Sequence, residues 1–66
     1  MTELWLARDK NGELIIYENK PFKDELAEQW TLNGWWGFLP KNWFPEVKWS
    51  DDEPTKVKLV IVNDLA

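Results

Sequence analysis

The stretch "ELWLARDKNGELIIYE", residues 3–18, decides the fold. Asp9-Lys10-Asn11-Gly12 stands between two apolar runs. Asp suits the first position of a type I turn, and Gly12 can take the positive φ of a closing G1 bulge. A hairpin over 3–18 closed by that turn pairs Trp5 with Tyr17, Leu6 with Ile16 and Ala7 with Ile15. Side chains alternate along a strand. One face therefore carries Trp5, Ala7, Ile15 and Tyr17, and the other Leu4, Leu6, Leu14 and Ile16. An antiparallel hairpin in water normally keeps one face polar. Here both are apolar, so a cover is expected on each side, from the rest of the chain or from a second copy. An EF-hand reading fails, because that calcium loop needs its Gly sixth and a Glu twelfth, and Gly12 comes fourth from Asp9.

Outward from this hairpin, "PFKDELAEQW" (21–30) predicts a short helix. Pro21 fits the first helical position, Asp24 and Glu25 fall in the first turn, and Phe22, Leu26 and Trp30 form an i, i+4, i+8 stripe. "WTLNGWWGFL" (30–39) predicts a central hairpin. Asn33-Gly34 is the turn signal, with Leu32 opposite Trp35 and Thr31 opposite Trp36. "EVKW" (46–49) reads as a short strand with Val47 and Trp49 on one side, "SDDEP" (50–54) as a solvated turn, and "TKVKLVIV" (55–62) as a C-terminal strand. The expected architecture is α+β: one domain over 1–66, with an antiparallel sheet of four to five strands and one helix.

Composition sets the limits. The chain has 66 residues, no Cys and no His, so disulfides and His/Cys zinc sites are excluded by count. A domain this short is marginal unless stapled. It carries instead six Trp, three Phe and one Tyr, each ring able to bury roughly 150–250 Å². Most of these rings are therefore expected in the core. The net charge of −4 opposes nucleic-acid binding, which needs a basic face. No signal-peptide pattern and no apolar run of membrane-spanning length is present. A cytoplasmic protein without membrane association is expected.

Two resemblances attach to quoted residues. "LWLARDKNGELIIYENKP" and "LPKNWFPEVKWSDDEPTKVKL" resemble a diffuse group of short proteins of gut bacteria and their phages. That group shares a W-x-A-R-D-x-x-G opening, N-K-P, and F-P-E-V-x-W before a last strand. The resemblance omits residues 22–39 and implies no activity, only a small cytoplasmic protein that is phage- or prophage-encoded. Locally, "GFLPKNWF" (37–44) is similar to the G-F-I-P-x-N-Y-V segment of SH3 domains, in which the matching positions, Pro40 and Trp43, would help line a groove for proline-rich peptides. The chain departs from that family in two ways: Trp35-Trp36 abut Gly37 with no room for the intervening hairpin, and the family's acidic loop is missing.

Enzymatic chemistry is not expected. The commonest general base and the thiol nucleophile are both absent. Ser50, the one serine, sits beside Asp51 and Asp52 in a predicted turn. The acidic residues of that turn with Asp64 read as solvated charge rather than as a metal site, and no cofactor is implied. The aromatic cluster carries the functional expectation. Trp35 and Trp36 must face opposite ways on a strand, so one is expected inside and its neighbour outside. Trp36, Pro40, Trp43 and Phe44 are the candidate residues for binding a protein partner. The alternative is a homodimer that associates through an apolar sheet face. Peptide binding of the SH3 kind and carbohydrate binding rank below these.

Overall fold

The computed structural model describes residues 2–31 and 34–63. The opening hairpin forms in the expected register. Strands β1 (Thr2–Arg8) and β2 (Leu14–Tyr17) pair Trp5 with Tyr17, Leu6 with Ile16, Ala7 with Ile15 and Arg8 with Leu14. The Gly12 N–H donates to the Asp9 carbonyl at 2.9 Å, and Gly12 sits at φ 93°. Only glycine takes that conformation without Cβ strain.

Four further strands complete the chain: β3 (Phe22–Asp24), β4 (Gln29–Thr31), β5 (Trp36–Leu39) and β6 (Thr55–Leu59). They form a four-stranded antiparallel sheet in the order β5-β2-β1-β6 and a separate β3-β4 hairpin. The described fold is thus all-β, six strands in two sheets, which corrects the α+β expectation.

The predicted helix over 21–30 is the β3-β4 hairpin. Pairing puts Lys23 opposite Trp30 and Phe22 opposite Thr31, so Phe22 and Trp30 lie on opposite faces. Trp30 is 5% exposed whereas Leu26, in the turn, is 99% exposed, so the helical stripe is never buried as a unit. The turn has its own chemistry: Asp24 Oδ1 accepts the Ala27 N–H at 3.1 Å, and Glu28 adopts φ 57°. A ten-residue helix is marginal without tertiary packing. Cross-strand pairing of Trp30 competes successfully.

The predicted central hairpin over 30–39 is also replaced. Trp36 pairs with Tyr17 on β2, not with Thr31, which pairs with Phe22. The Leu32–Trp35 pairing lies outside the described residues. Gly34 does take positive φ (116°), but β5 after it belongs to the four-stranded sheet and not to the sheet of β4. Glu18 fastens Trp35 from both sides: its N–H donates to the Trp35 carbonyl (3.0 Å) and its Oε1 accepts the Trp35 N–H (3.2 Å).

Residues 46–49 form no strand. Val47 packs with Leu6 and Leu14 on one face of the sheet, while Trp49 packs with Ala7, Ile15, Tyr17 and Trp30 on the other. The segment therefore crosses between faces instead of presenting both side chains to one. The C-terminal strand ends at Leu59 rather than at residue 62, and Val60, Ile61 and Val62 are exposed.

Both faces of the opening hairpin are covered by this chain itself. Trp30 and Trp49 cover the face of Ala7, Ile15 and Tyr17, and Val47 caps Leu6 and Leu14 on the other.

Candidate functional site

The two covers are fastened by consecutive residues at the end of β1 and the start of its turn. Arg8 falls on the face of Leu6 and Leu14. Its guanidinium donates five hydrogen bonds, all to main-chain carbonyls: Nε to Val47 (2.7 Å), one terminal nitrogen to Gly12 (2.8 Å) and Lys41 (2.9 Å), the other to Trp43 (2.9 Å) and Phe44 (3.2 Å). A planar fork of donors suits such a task better than an ammonium. Asp9 serves the opposite face. It is 9% exposed, and its Oδ1 accepts the Trp30 N–H at 2.8 Å. The Trp30 indole in turn donates to the Arg8 carbonyl at 3.1 Å. Burial raises the Asp9 carboxyl above the usual range. The Trp30 N–H opposes that shift and the charge of Glu13 adds to it.

The residues that Arg8 holds present their rings outward. Trp43 is 50% and Phe44 44% exposed, and the two rings meet edge to face at 6.3 Å. Phe44 has φ 49°, a left-handed conformation that costs a non-glycine residue roughly 1–2 kcal/mol. Pro40 accepts the Trp43 N–H on its carbonyl at 3.0 Å and is itself exposed.

Trp36 belongs to a different group. It pairs with Tyr17, and Phe38 pairs with Ile15, so both rings extend the Ala7 face beyond its cover. They meet edge to face at 5.1 Å, nearly perpendicular, with Trp36 48% exposed. Between them and β4 lies a groove of about 330 Å³, floored by Ile15 and Tyr17, walled by Trp30 and rimmed by Asp9 and Glu13. Tyr17 lines this groove, and its hydroxyl is buried with no hydrogen-bond partner among the described residues. Burial, with the Asp9 charge, pushes its pKa well above the ordinary value.

The four sequence-predicted residues thus fall into two groups: Pro40, Trp43 and Phe44 on the Arg8-held loop, and Trp36 at the groove. Trp35 is exposed as well as Trp36, so neither of that pair is inside. The Trp35 ring lies over Gly37, where a Cβ would meet it at 3.2 Å. The expectation that most rings are core is corrected: six of the ten aromatic residues (Phe22, Trp35, Trp36, Phe38, Trp43, Phe44) are exposed. Sequence reading missed Arg8, Asp9 and Phe38. The signal for Arg8 was present, since alternation puts a guanidinium in line with Leu4 and Leu6.

The buried and half-buried indoles of Trp5, Trp30 and Trp49 have lysines over them. Lys23 Nζ lies 4.4 Å from the Trp49 ring and 5.3 Å from Trp30, and Lys20 and Lys56 stand 5.7 and 5.6 Å from Trp5. In the acidic turn, Asp51 accepts the Lys48 N–H at 3.0 Å, and Glu53 pairs with Lys20 at 3.3 Å. Among the described residues no group of three or more potential ligands could hold a metal ion. Among the same residues no helix is long and apolar enough to cross a membrane, which says nothing of β-barrels.

No protein-family model, no curated protein and no solved structure matches the chain.

Proposed function

We propose that this domain is a non-enzymatic docking protein that binds a protein partner through its exposed aromatic residues, chiefly Trp43 and Phe44 beside Pro40, with Trp36 as a second contact. The observation that carries the reading is the Arg8 hub. One side chain fixes the carbonyls of Lys41, Trp43, Phe44 and Val47 while the aromatic side chains at 43 and 44 remain outside. A rigid backbone presenting half-exposed aromatic rings lowers the ordering cost of association. Trp and Tyr dominate the energetics of interfaces, and strained backbone held by its surroundings clusters at ligand clamps. The likeness to short phage and gut-bacterial proteins suits an accessory role of this kind.

The test immobilises the wild-type protein and its Trp43→Ala and Phe44→Ala variants and compares what each captures from a host lysate, with melting curves alongside. Partners retained by the wild type and lost by both folded variants support the reading. An identical capture set for all three overturns it.

A specific observation favours self-association as the second reading. Leu59, Val60, Ile61 and Val62 are 61%, 56%, 87% and 80% exposed, and among the described residues β6 has only β1 beside it. A strand with one open edge, followed here by an exposed apolar segment, is a template for pairing with another copy. Sedimentation over a concentration series distinguishes the two: a dimer abolished by Ile61→Lys supports it, and a monomer at high concentration removes it.

A further inference from the structure

We propose that the groove between β5 and β4 receives a lysine or arginine side chain of the partner polypeptide, with Trp36 and Phe38 as its aromatic corner and Asp9 as its counter-charge. This deepens the docking reading and rests on it.

The argument begins with charge. Asp9 is almost fully buried, accepts only the Trp30 N–H, and forms no ion pair among the described residues. A buried carboxylate without a cation is unfavourable unless something neutralises it. Glu13, on the same rim, is already shared with Lys41 at 3.4 Å. Asp9 is therefore the carboxylate left uncompensated. The direction of its titration agrees: burial holds its proton more tightly than water does.

The second observation is the Tyr17 hydroxyl. Tyr17 is 2% exposed, lines the groove, and its hydroxyl oxygen has no partner among the described residues. Buried polar atoms are rarely left so. A phenol oxygen accepts from an ammonium or guanidinium as readily as from water. Asp9 and Tyr17 thus both line one pocket, and among the described residues each has acceptor capacity left unfilled.

The third observation is the shape of the rings. Trp36 and Phe38 stand at 84° to each other, a corner rather than a flat stacking platform. A cation bonds to ring faces and fits a corner. A sugar ring stacks on one broad plane. Elsewhere the molecule already places ammonium groups on indoles: Trp5, Trp30 and Trp49 each carry a lysine within 5.7 Å. Among the described residues no lysine stands over Trp36. The groove of about 330 Å³ is ample for one long side chain.

The probe is a five-residue peptide with one central lysine. It is titrated into the full chain while the indole N–H resonances are followed by NMR. A counterpart peptide with norleucine in place of lysine keeps the aliphatic stem and removes the charge, and maltose serves as the carbohydrate arm. The lysine peptide should shift Trp36 and Trp30 saturably, leave Trp43 unmoved, and bind at least tenfold more tightly than the norleucine peptide. Asp9→Asn keeps the acceptor for the Trp30 N–H, so its sheet spectrum should remain while lysine affinity falls at least fivefold. Tyr17→Phe should weaken binding about twofold to fivefold. Equal binding of lysine and norleucine, unchanged affinity in a folded Asp9→Asn, or shifts with maltose but not with lysine would each overturn the proposal. Its failure is separable from failure of the docking reading, which is judged by capture with Trp43→Ala and Phe44→Ala, residues outside the groove.

Discussion

The two covers of the central hairpin solve one problem by different means. On the Ala7–Ile15–Tyr17 face the cover is regular: the β3-β4 hairpin, with buried Trp30 and half-buried Trp49, the two indoles flanking Lys23. On the Leu6–Leu14 face the cover is a loop without strand pairing, and Val47 is its one fully buried apolar residue. The first cover buries rings. The second is fixed through its carbonyls by Arg8 and leaves its rings outside. Where side-chain hydrogen bonds hold a backbone in place, the aromatic residues upon it are free for other work.

The sharpest way to break the comparison is to remove the ring on which the regular cover depends. Trp30→Ala deletes a buried indole together with its bond to the Arg8 carbonyl. A loss of about 3–5 kcal/mol is expected, enough to unfold much of a small domain at 37 °C. Urea denaturation measures it. A loss below about 1 kcal/mol would show that the β3-β4 hairpin is not a structural cover.

Next comes the guanidinium. Arg8→Ala leaves five carbonyls short of a donor, partly compensated by water because the site is only half-buried. A cost of about 2–3 kcal/mol is expected. Arg8→Lys should recover less than half of it, since three donors on one nitrogen cannot span carbonyls from Gly12 to Val47. Hydrogen exchange locates the effect: the amides of Trp43 and Val47 should lose protection before that of Trp30 does.

Asp9 tests the other fastening with two substitutions of opposite sign. Asp9→Ala leaves the Trp30 N–H unsatisfied and should cost about 1–3 kcal/mol at pH 7. Asp9→Asn keeps that acceptor and removes a buried charge. Because burial raises the folded-state pKa of Asp9 above its ordinary value, the stability this group contributes is fully present below that ordinary value and is lost as pH rises through the raised one. Asp9→Asn should therefore gain on the wild type as pH climbs from 4 to 7. Glu13 and Tyr17 also face Asp9, and neither substitution alters them. Melting temperatures across that pH range decide the sign, and a gap that narrows with rising pH would contradict the burial argument.

How much of this was legible can be traced residue by residue. The 3–18 hairpin was readable in full, because turn chemistry and period-two alternation both act within a few residues and agree. Its double-sided apolar character correctly demanded two covers. What each cover is made of was not readable. Phe22, Leu26 and Trp30 satisfy a helical period, and only the distant Asp9 acceptor and the Lys23 pairing favour a strand. Asn33-Gly34 is flanked as a hairpin turn should be, but the open edge of β2 competes for β5, and that edge exists only once the first hairpin is formed. At the candidate site, the exposure of Trp36 and Trp43 matched their choice as candidate binding residues. The exposure of Trp35 and Phe38 did not, because it depends on how far the covers extend. Arg8 was overlooked for the same reason: four of its five partners lie 33 to 39 residues away.

The smallest stability effect is expected where the functional reading is strongest. Trp43 is tied to the rest of the domain through its N–H and carbonyl, both of which alanine retains, and through a perpendicular contact with the Phe44 ring. Trp43→Ala should cost no more than about 0.5–1 kcal/mol, the scale of one aromatic pair. Phe44 gives a cleaner test, because its side chain works against its backbone. At φ 49° glycine is favoured over any residue with a Cβ. Phe44→Gly should then be as stable as the wild type, or more so by up to about 1 kcal/mol. Phe44→Ala keeps the strain and loses the ring, so it should fall below both. If phenylalanine is kept for binding, Phe44→Gly combines an undiminished melting temperature with lost partner capture. A Phe44→Gly variant destabilised by more than about 2 kcal/mol would mean that the ring stabilises the loop, and the division between a cover that buries its rings and one that presents them would no longer hold.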